Sequence, residues 1–250
     1  MAVRLGWWVI DTLDGERLAD FYETLLGWPR LFTSDEGIAL VPSMPPVLGQ
    51  GFLLYTEHGT GEKTFKNRAH PDFRPPDAGA MVERALELGA TNADIGQGPV
   101  DWSVFTDPEG NEFCVLSSGD VDQPEIDAFT LDSNDLDVLA PFWSSLLGWD
   151  EVARDHDSVR LRDPSGDAHD LLLLESPDEK AGKNRVHPDL IPVADPDDPE
   201  AREREASRVL ELGGSHADIG QGDVPWSVMA DPEGNEFCIL SPRAAGPPPE

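Results

Sequence analysis

Basic residues are scarce in this chain. Of its 250 residues, 18 are Lys or Arg and 49 are Asp or Glu, which gives a formal net charge of −31 at pH 7. A field of this sign repels phosphate backbones and anionic membranes, so nucleic acid and membrane surfaces are disfavoured as partners. The acidic surface is either a solvated face or a means of attracting a cationic ligand.

Cysteine and long apolar runs are also scarce. Two cysteines, Cys114 and Cys238, are too few for a disulfide framework, which favours a reducing compartment. The N-terminal residues lack the pattern of a signal peptide, and no stretch approaches the ~18 apolar residues of a membrane span. We therefore expect a cytoplasmic protein that does not bind a membrane.

What the chain does contain is a long internal repeat. The eight residues DPEGNEFC occur at 107–114 and again at 231–238. Further matches pair DFYETLLGW with PFWSSLLGW, and KNRAHPDF with KNRVHPDL, in the same order. Repetition on this scale predicts two copies of one domain, at 1–119 and 125–243, followed by a flexible tail at 244–250.

The order of predicted elements repeats within each copy as well. In the first copy, VRLGWWVID is typical of a strand, and apolar residues spaced as in LADFYETLLG predict a helix that ends at Gly27. Three short strands follow, and the same strand–helix–three-strand order then recurs. Glycine-rich turns between the closing strands favour antiparallel hairpins. The chain is therefore predicted to contain four βαβββ modules.

These motifs resemble the vicinal oxygen chelate superfamily, which includes glyoxalase I, bleomycin-resistance proteins and extradiol dioxygenases. The features that carry the resemblance are the FY..LLGW helix end, the H.D strand before a helix, and the closing DPEGNEF. The resemblance implies an α+β fold of two glyoxalase-like domains, each a cupped, incomplete mixed β-barrel with flanking helices. Single-domain relatives commonly dimerise, so a fused pair is expected to be a monomer with an internal pseudo-dimer.

The resemblance also implies where a metal would bind, and here the chain departs from the pattern. Ligand positions on the first and last strands of the opening module fall on residues that do not bind metal. These are Trp7 and a residue within 52–55, with Ala128 and a residue within 171–174 in the second copy. His70 and His187 match a ligand histidine, whereas Cys114 and Cys238 replace the closing glutamate. We therefore expect no complete metal site and no cofactor.

A substitute set of ligands remains as an alternative. Strand alternation places Asp72 beside His70 and Glu112 beside Cys114, with Asp189, Glu236 and Cys238 around His187 in the second copy. Such a set would suit zinc or another divalent metal, held by His70, Glu112, His187 and Glu236. Against this, an H-P-D step can be a structural strand end, and a buried cysteine is often a packed apolar residue.

Two other repeated features have open interpretations. Trp102 and Trp226 follow the ADIGQG motif and are either an aromatic wall for a ligand or core residues of the sheet. The KNR motifs at 66–68 and 183–185 concentrate positive charge in an acidic chain. They indicate ion pairs, either within the protein or with an anionic ligand.

The leading hypothesis is a glyoxalase/bleomycin-resistance-like protein that binds a small organic molecule in one or both cups. Its predicted binding residues are His70, Asp72, Trp102 and Cys114, with His187, Asp189, Trp226 and Cys238 in the second copy. The alternative is a metal-dependent lyase, isomerase or dioxygenase. Its catalytic candidates would be His70 with Glu112, and His187 with Glu236. A structural or regulatory protein with inactive cups is the third hypothesis.

Overall fold

The computed structural model of the chain describes residues 3–35, 37–56, 61–96 and 98–245. The elements run β1 (Val3–Thr12), α1 (Gly15–Leu26), β2 (Arg30–Thr33), β3 (Gly37–Leu40), β4 (Phe52–Thr56), β5 (Ala69–Arg74), α2 (Ala78–Glu87), β6 (Thr91–Asn92), β7 (Ser103–Thr106), β8 (Glu112–Val115), β9 (Glu125–Ser133), α3 (Leu136–Leu147), β10 (Asp150–Arg154), β11 (Ser158–Arg162), β12 (Asp170–Glu175), β13 (Val186–Pro192), α4 (Ala201–Glu211), β14 (Ser215–His216), β15 (Ser227–Ala230) and β16 (Glu236–Ile239). A short 3₁₀ turn at Pro242–Ala245 follows, and most of the predicted tail at 244–250 lies outside the described residues.

Helices α1 and α3 have the same capping residues, an aspartate at the N-terminus and a glycine at the C-terminus. Asp14 caps α1 by accepting a hydrogen bond from the Arg17 backbone, and Asp135 caps α3 in the same way. Both helices end at a glycine with positive φ, 71° at Gly27 and 69° at Gly148, a conformation that other residues rarely adopt. The predicted stop at Gly27 is confirmed. None of the described helices has the length and apolar character needed to cross a bilayer.

In the described part of the chain, sixteen strands form two open, eight-stranded mixed sheets. The first sheet has the order β14-β15-β16-β13-β1-β4-β3-β2, and the second has the order β10-β11-β12-β9-β5-β8-β7-β6. Each sheet therefore joins one βαβββ module from each half of the chain, through the antiparallel pairs β1–β13 and β5–β9. The predicted α+β fold of four modules is confirmed, whereas the boundaries 1–119 and 125–243 stay a prediction about sequence units.

The main core lies between the two sheets. Tyr22 of α1 contacts Phe52 in the first sheet and Phe73 in the second, at ring-centroid distances of 5.0 and 6.3 Å. Directly between the sheets, Trp8 stacks on Phe129 at 4.0 Å with an interplanar angle of 6°. Because strand residues alternate, every second side chain points away from this core. We call these outward faces cup 1, on the first sheet, and cup 2, on the second.

Two buried arginine–glutamate pairs connect the sheets. Arg68, just before β5 in the second sheet, donates to Glu233, in the turn between β15 and β16 of the first, at 2.6 Å. Glu233 also accepts hydrogen bonds from the Asn134 and Asp135 backbones at the start of α3. Arg185 and Glu109 repeat the arrangement at 2.8 Å. The arginines of both KNR motifs thus form ion pairs within the protein.

We expect Glu233→Gln to lower the free energy of unfolding by about 3 kcal/mol, because the guanidinium of Arg68 would stay buried without a counter-charge. Urea-induced unfolding, followed by circular dichroism, measures the effect. Glu83→Gln, an exposed carboxylate on α2, is the matched control and should change the stability by less than about 0.5 kcal/mol. Equal stability of the two variants would show that the pair does not hold the sheets together.

Candidate functional site

Each cup contains a cluster of three side chains that could ligate a metal or bind a polar group. The His70 cluster consists of His70 and Asp72 on β5 and Cys114 on β8, where Asp72 and Cys114 are register partners. The His187 cluster consists of His187 and Asp189 on β13 and Cys238 on β16, again with the last two in register. In each cluster the ligand atoms lie within 4.8 Å of one another. The clusters join six of the eight residues predicted to bind a ligand.

The outward direction of these side chains follows from their neighbours. Phe73 and Phe113 alternate with Asp72 and Cys114 along β5 and β8, and their rings pack together at 5.9 Å in the main core. The cluster side chains therefore lie on the opposite face. They are nevertheless well covered, since the six residues are between 3% and 8% exposed. A polar group buried to this degree needs a partner, from either the protein or a ligand.

In the His70 cluster the protein supplies most of the partners. The His70 Nε2 atom lies 3.4 Å from Asp72 Oδ1, and the Thr130 hydroxyl donates to Asp72 Oδ2 at 2.6 Å. Thr130 stands on β9 directly opposite His70. Among the described residues, the His70 Nδ1 atom has no hydrogen-bond partner. One unpartnered ring nitrogen is thus left in this cluster.

The His187 cluster has more unpartnered atoms, because Val9 stands opposite His187 in the position that Thr130 occupies in cup 2. His187 lies between two carboxylates, with Nε2 3.5 Å from Asp11 Oδ1 and Nδ1 3.6 Å from Asp189 Oδ1. These contacts are too long for strong hydrogen bonds. Within the described chain, His187 Nδ1, Asp189 Oδ1 and Asp11 Oδ1 are all buried without a hydrogen-bond partner.

Within the clusters, neighbouring groups raise the pKa values of the histidines, and burial raises those of the thiols. Burial alone lowers the pKa of His187, but Asp11 and Asp189 outweigh burial and raise this pKa well above the usual value. The pKa of His70 is raised well above its usual value in the same way, against burial, by Cys114 and Asp72. Burial and the charge of Asp189 raise the pKa of Cys238 to about 11. The thiol is therefore not an activated nucleophile at neutral pH.

Glu112 and Glu236, predicted as catalytic or metal-binding residues, are engaged elsewhere. Glu112 accepts hydrogen bonds from Lys63 Nζ at 2.6 Å and from the Asn67 backbone at 3.1 Å. Glu236 accepts from Lys180 Nζ at 2.7 Å and from the Asn184 backbone at 3.1 Å. Each carboxylate thus holds the loop that leads into the histidine strand.

Sequence reasoning missed Asp11 and its counterpart Asp132. Asp11 forms an ion pair with Lys183 and faces His187, whereas Asp132 accepts a hydrogen bond from Lys66 at 2.5 Å. A signal was present, because the first strand of each copy ends in Asp followed by a hydroxyl residue, as VIDT and TLDS. Aligning the two copies at these strands would have identified both aspartates.

The positions at which the family resemblance would place metal ligands form walls beside the clusters. Trp7 lies directly opposite Asp189, and Ala128 lies directly opposite Asp72. In cup 1, Tyr55 of β4 meets Trp226 edge-on at a centroid distance of 6.5 Å. Trp102, the counterpart of Trp226, is 41% exposed. Cup 1 therefore has the more aromatic wall, and cup 2 the smaller side chains.

The donor atoms fit a divalent ion of borderline softness. A histidine nitrogen, a carboxylate oxygen and a cysteine sulfur are ligands that zinc accepts, and a three-residue set leaves a position open for a further ligand. The unpartnered His187 Nδ1 and Asp189 Oδ1 make cup 1 the better fit, because Thr130 already occupies one oxygen of Asp72 in cup 2.

Comparison with known proteins gives matches over both halves. The model of a family described as "Glyoxalase-like domain" matches residues 7–116 and 128–240. Glyoxalase I from Zea mays has a similar structure, with a TM-score of 0.69 at 16% identity over 98% of this chain and 94% of that chain. A putative dioxygenase from Bacillus subtilis gives a TM-score of 0.64 at 15% identity over 96% and 86%. None of the curated proteins compared with the chain matches it.

The protonated histidines predict a pH-dependent stability. Because their folded pKa values lie above about 6.5, the folded state retains protons that the unfolded chain releases, so stability is full below pH 6.5 and falls as the pH rises. Between pH 6 and 8, unfolding free energies measured with chelator present should fall by up to about 1.4 kcal/mol per pH unit for each histidine.

Replacement of both histidines, by His70→Gln and His187→Gln, should flatten this pH dependence. His216→Gln, which changes an exposed histidine, should leave the slope of the wild type unchanged. Identical slopes in all three proteins would mean that the cluster histidines are neutral in the folded state.

Proposed function

The chain belongs to the family of glyoxalase-like domain proteins, and on this basis we propose that it binds a small organic molecule in its cups. The observation that carries the proposal is the set of unpartnered polar atoms around His187 in cup 1. The atoms face one another at 3.5–3.6 Å, too far for strong hydrogen bonds, so part of the cost of burying each of them, about 1–3 kcal/mol for an unpaired group, stays uncompensated. A ligand that makes hydrogen bonds to them would recover this free energy on binding.

The chemistry of cup 1 restricts the kind of ligand. Asp189 and Asp11 offer carboxylate oxygens that accept hydrogen bonds, while protonated His187 offers an N–H donor. Beside these polar groups stand the aromatic and aliphatic side chains of Trp7, Leu53, Tyr55 and Trp226. A molecule with a hydrogen-bonding end and a flat apolar part would suit both regions. The net charge of −31 favours a neutral or cationic molecule over an anion.

Cup 1 is proposed as the stronger of the two sites. In cup 2, Thr130 hydrogen-bonds Asp72, and Leu172 and Leu174 stand where cup 1 has Leu53 and Tyr55. A ligand in cup 2 would therefore have to displace a hydrogen bond and would meet a less aromatic wall. Binding in cup 2, if it occurs, is expected to be weaker.

A metal-dependent lyase, isomerase or dioxygenase is the second candidate, favoured by the convergence of histidine, aspartate and cysteine in each cup. His187, Asp189 and Cys238 would hold the ion in cup 1, and His70, Asp72 and Cys114 would hold it in cup 2. A bound divalent ion would polarise an oxygen of the substrate. Glu112 and Glu236 would then position the loops through Lys63 and Lys180 rather than ligate the ion.

The assembly proposed for this function is a monomer. Both central strand pairs, β1–β13 and β5–β9, form within one chain, so the cups do not require a second copy. The partner is proposed to be a small molecule only. A cytoplasmic location and the absence of nucleic-acid binding stay predictions.

Ligand binding is tested by a thermal-shift screen of small aromatic amines and carbonyl compounds, followed by calorimetry of the compounds that stabilise the protein. Compounds that bind cup 1 should lose about tenfold or more in affinity with His187→Gln/Asp189→Asn, because each variant side chain removes a charged hydrogen-bond partner. The matched change in cup 2, His70→Gln/Asp72→Asn, should preserve their binding. The proposal fails if no compound stabilises the protein, or if both double variants bind like the wild type.

Metal binding is tested by elemental analysis of untagged protein that has been purified without chelator. The second candidate predicts about one zinc or similar ion per occupied cup, lost when both His70→Gln and His187→Gln are introduced and retained with His216→Gln. Absence of metal from the wild type, even after incubation with zinc, would contradict this candidate and leave metal-free binding. A metal retained by the double variant would show that His70 and His187 are not among its ligands.

A further inference from the structure

Asp11 is a buried carboxylate beside the His187 cluster. It is 1% exposed and lies on β1, the strand that pairs with the histidine strand β13. Its backbone N–H donates to the Arg185 carbonyl at 2.8 Å, and the Arg185 guanidinium donates to the Asp11 carbonyl at 2.9 Å. Lys183 forms an ion pair with Asp11 Oδ2. The second KNR motif, 183–185, therefore holds this aspartate in place and leaves its other oxygen, Oδ1, to face the cup.

The two ring nitrogens of His187 face different carboxylates. Nε2 lies 3.5 Å from Asp11 Oδ1, and this oxygen is buried without a hydrogen-bond partner among the described residues. Nδ1 lies 3.6 Å from Asp189 Oδ1, and both of these atoms are likewise buried without a partner in the described part of the chain. Asp189 belongs to the cluster that could ligate a metal, whereas Asp11 does not. One nitrogen thus faces the possible ligands, and the other faces a fixed carboxylate outside them.

We propose that Asp11 is a positioning residue for a metal ion in cup 1. It would accept the Nε2–H of His187, which leaves the lone pair of Nδ1 to bind the ion together with Asp189 and Cys238. A histidine that ligates a metal commonly donates its other N–H to a carboxylate, and this contact fixes the tautomer and the orientation of the ring. The inference rests on the metal-binding candidate described above and adds to it a residue outside the ligand set.

Cup 2 lacks this arrangement, although the sequence repeats the aspartate. Asp132, the counterpart of Asp11, pairs with Lys66 at 2.5 Å, but no ion pair joins it to His70 within the described chain. The nitrogen of His70 that faces the cluster is Nε2, 3.4 Å from Asp72 Oδ1, while Nδ1 is buried with no partner among the described residues. A metal held at Nε2 would therefore leave the Nδ1–H without an acceptor. The two aspartates share a lysine partner and differ in their contact with histidine.

Zinc affinity, measured by competition with a chromophoric chelator, tests the proposal in a His70→Gln background, which leaves only the cup 1 cluster intact. Asp11→Asn should weaken zinc binding by between about ten- and a hundredfold, because His187 loses its charged acceptor. Asp132→Asn is the matched control, since it also removes the carboxylate partner of a lysine, and it should leave the affinity of cup 1 unchanged. Urea unfolding of the metal-free proteins should show a similar loss of stability in the two variants.

The ring ¹⁵N resonances of His187 provide a measurement that does not depend on the folding of an Asp11 variant. They are assigned in the zinc-loaded His70→Gln protein as the signals that disappear when His187→Gln is added. We expect Nδ1 to bind zinc and Nε2 to carry the proton, because Asp11 accepts from Nε2 in the proposed arrangement. A purely structural role of Asp11 would not select one tautomer of His187.

Zinc bound at Nε2 of His187 would overturn the proposal, as would equal zinc affinities of the Asp11→Asn and Asp132→Asn proteins. In both of these cases cup 1 would still bind zinc, so the metal-binding candidate itself would stand. A His70→Gln protein that binds no zinc would instead overturn the candidate and the proposal together. The failure of the positioning role is therefore distinguishable from the failure of metal binding.

Discussion

The buried arginine–glutamate pairs between the sheets are the interaction on which the site geometry depends. Glu109 and Glu233 belong to the repeated DPEGNEFC segment, which also carries the cluster cysteines five residues later. Each glutamate accepts from an arginine that lies two residues before a cluster histidine, and from the backbone at the start of a helix. Buried charges of this kind require close partners. The pair therefore fixes, in one contact, the histidine strand of one sheet and the cysteine hairpin of the other.

The two copies agree in this framework and differ in what faces the clusters. The differences lie on β1 and β9, where Val9 and Trp7 in cup 1 correspond to Thr130 and Ala128 in cup 2. The Thr130 hydroxyl satisfies Asp72, whereas a valine cannot satisfy Asp189. The two cups thus differ at these first-strand positions and at Tyr55 of β4, where cup 2 has Leu174 of β12, while the cluster residues themselves are the same in both copies.

Much of this architecture could be predicted from sequence, because it depends on local signals. Glycine at Gly27 and Gly148 marks the helix ends, and period-two alternation places His70 with Asp72 on one face. Alternation does not say which strand is the neighbour, so the pairing of β1 with β13 across the two halves could not be derived from it. The ion pair of Glu112 with Lys63 could not be predicted either. The two residues are 49 positions apart, and many carboxylates compete for few cations. The sequence therefore predicted which side chains share a strand face, but not which strands pair or which cation binds Glu112.

Because the two copies are fused in one chain, the two cups can acquire different residues. In a symmetric homodimer every substitution appears in both cups, so a change that suits one ligand must be tolerated twice. In a single chain the two positions are encoded separately, and Thr130 can stabilise one cluster while Val9 leaves the other open for a partner. The covalent connection therefore allows unlike sites on a pseudo-symmetric framework, which is the feature that sets this arrangement apart from a dimer of identical copies.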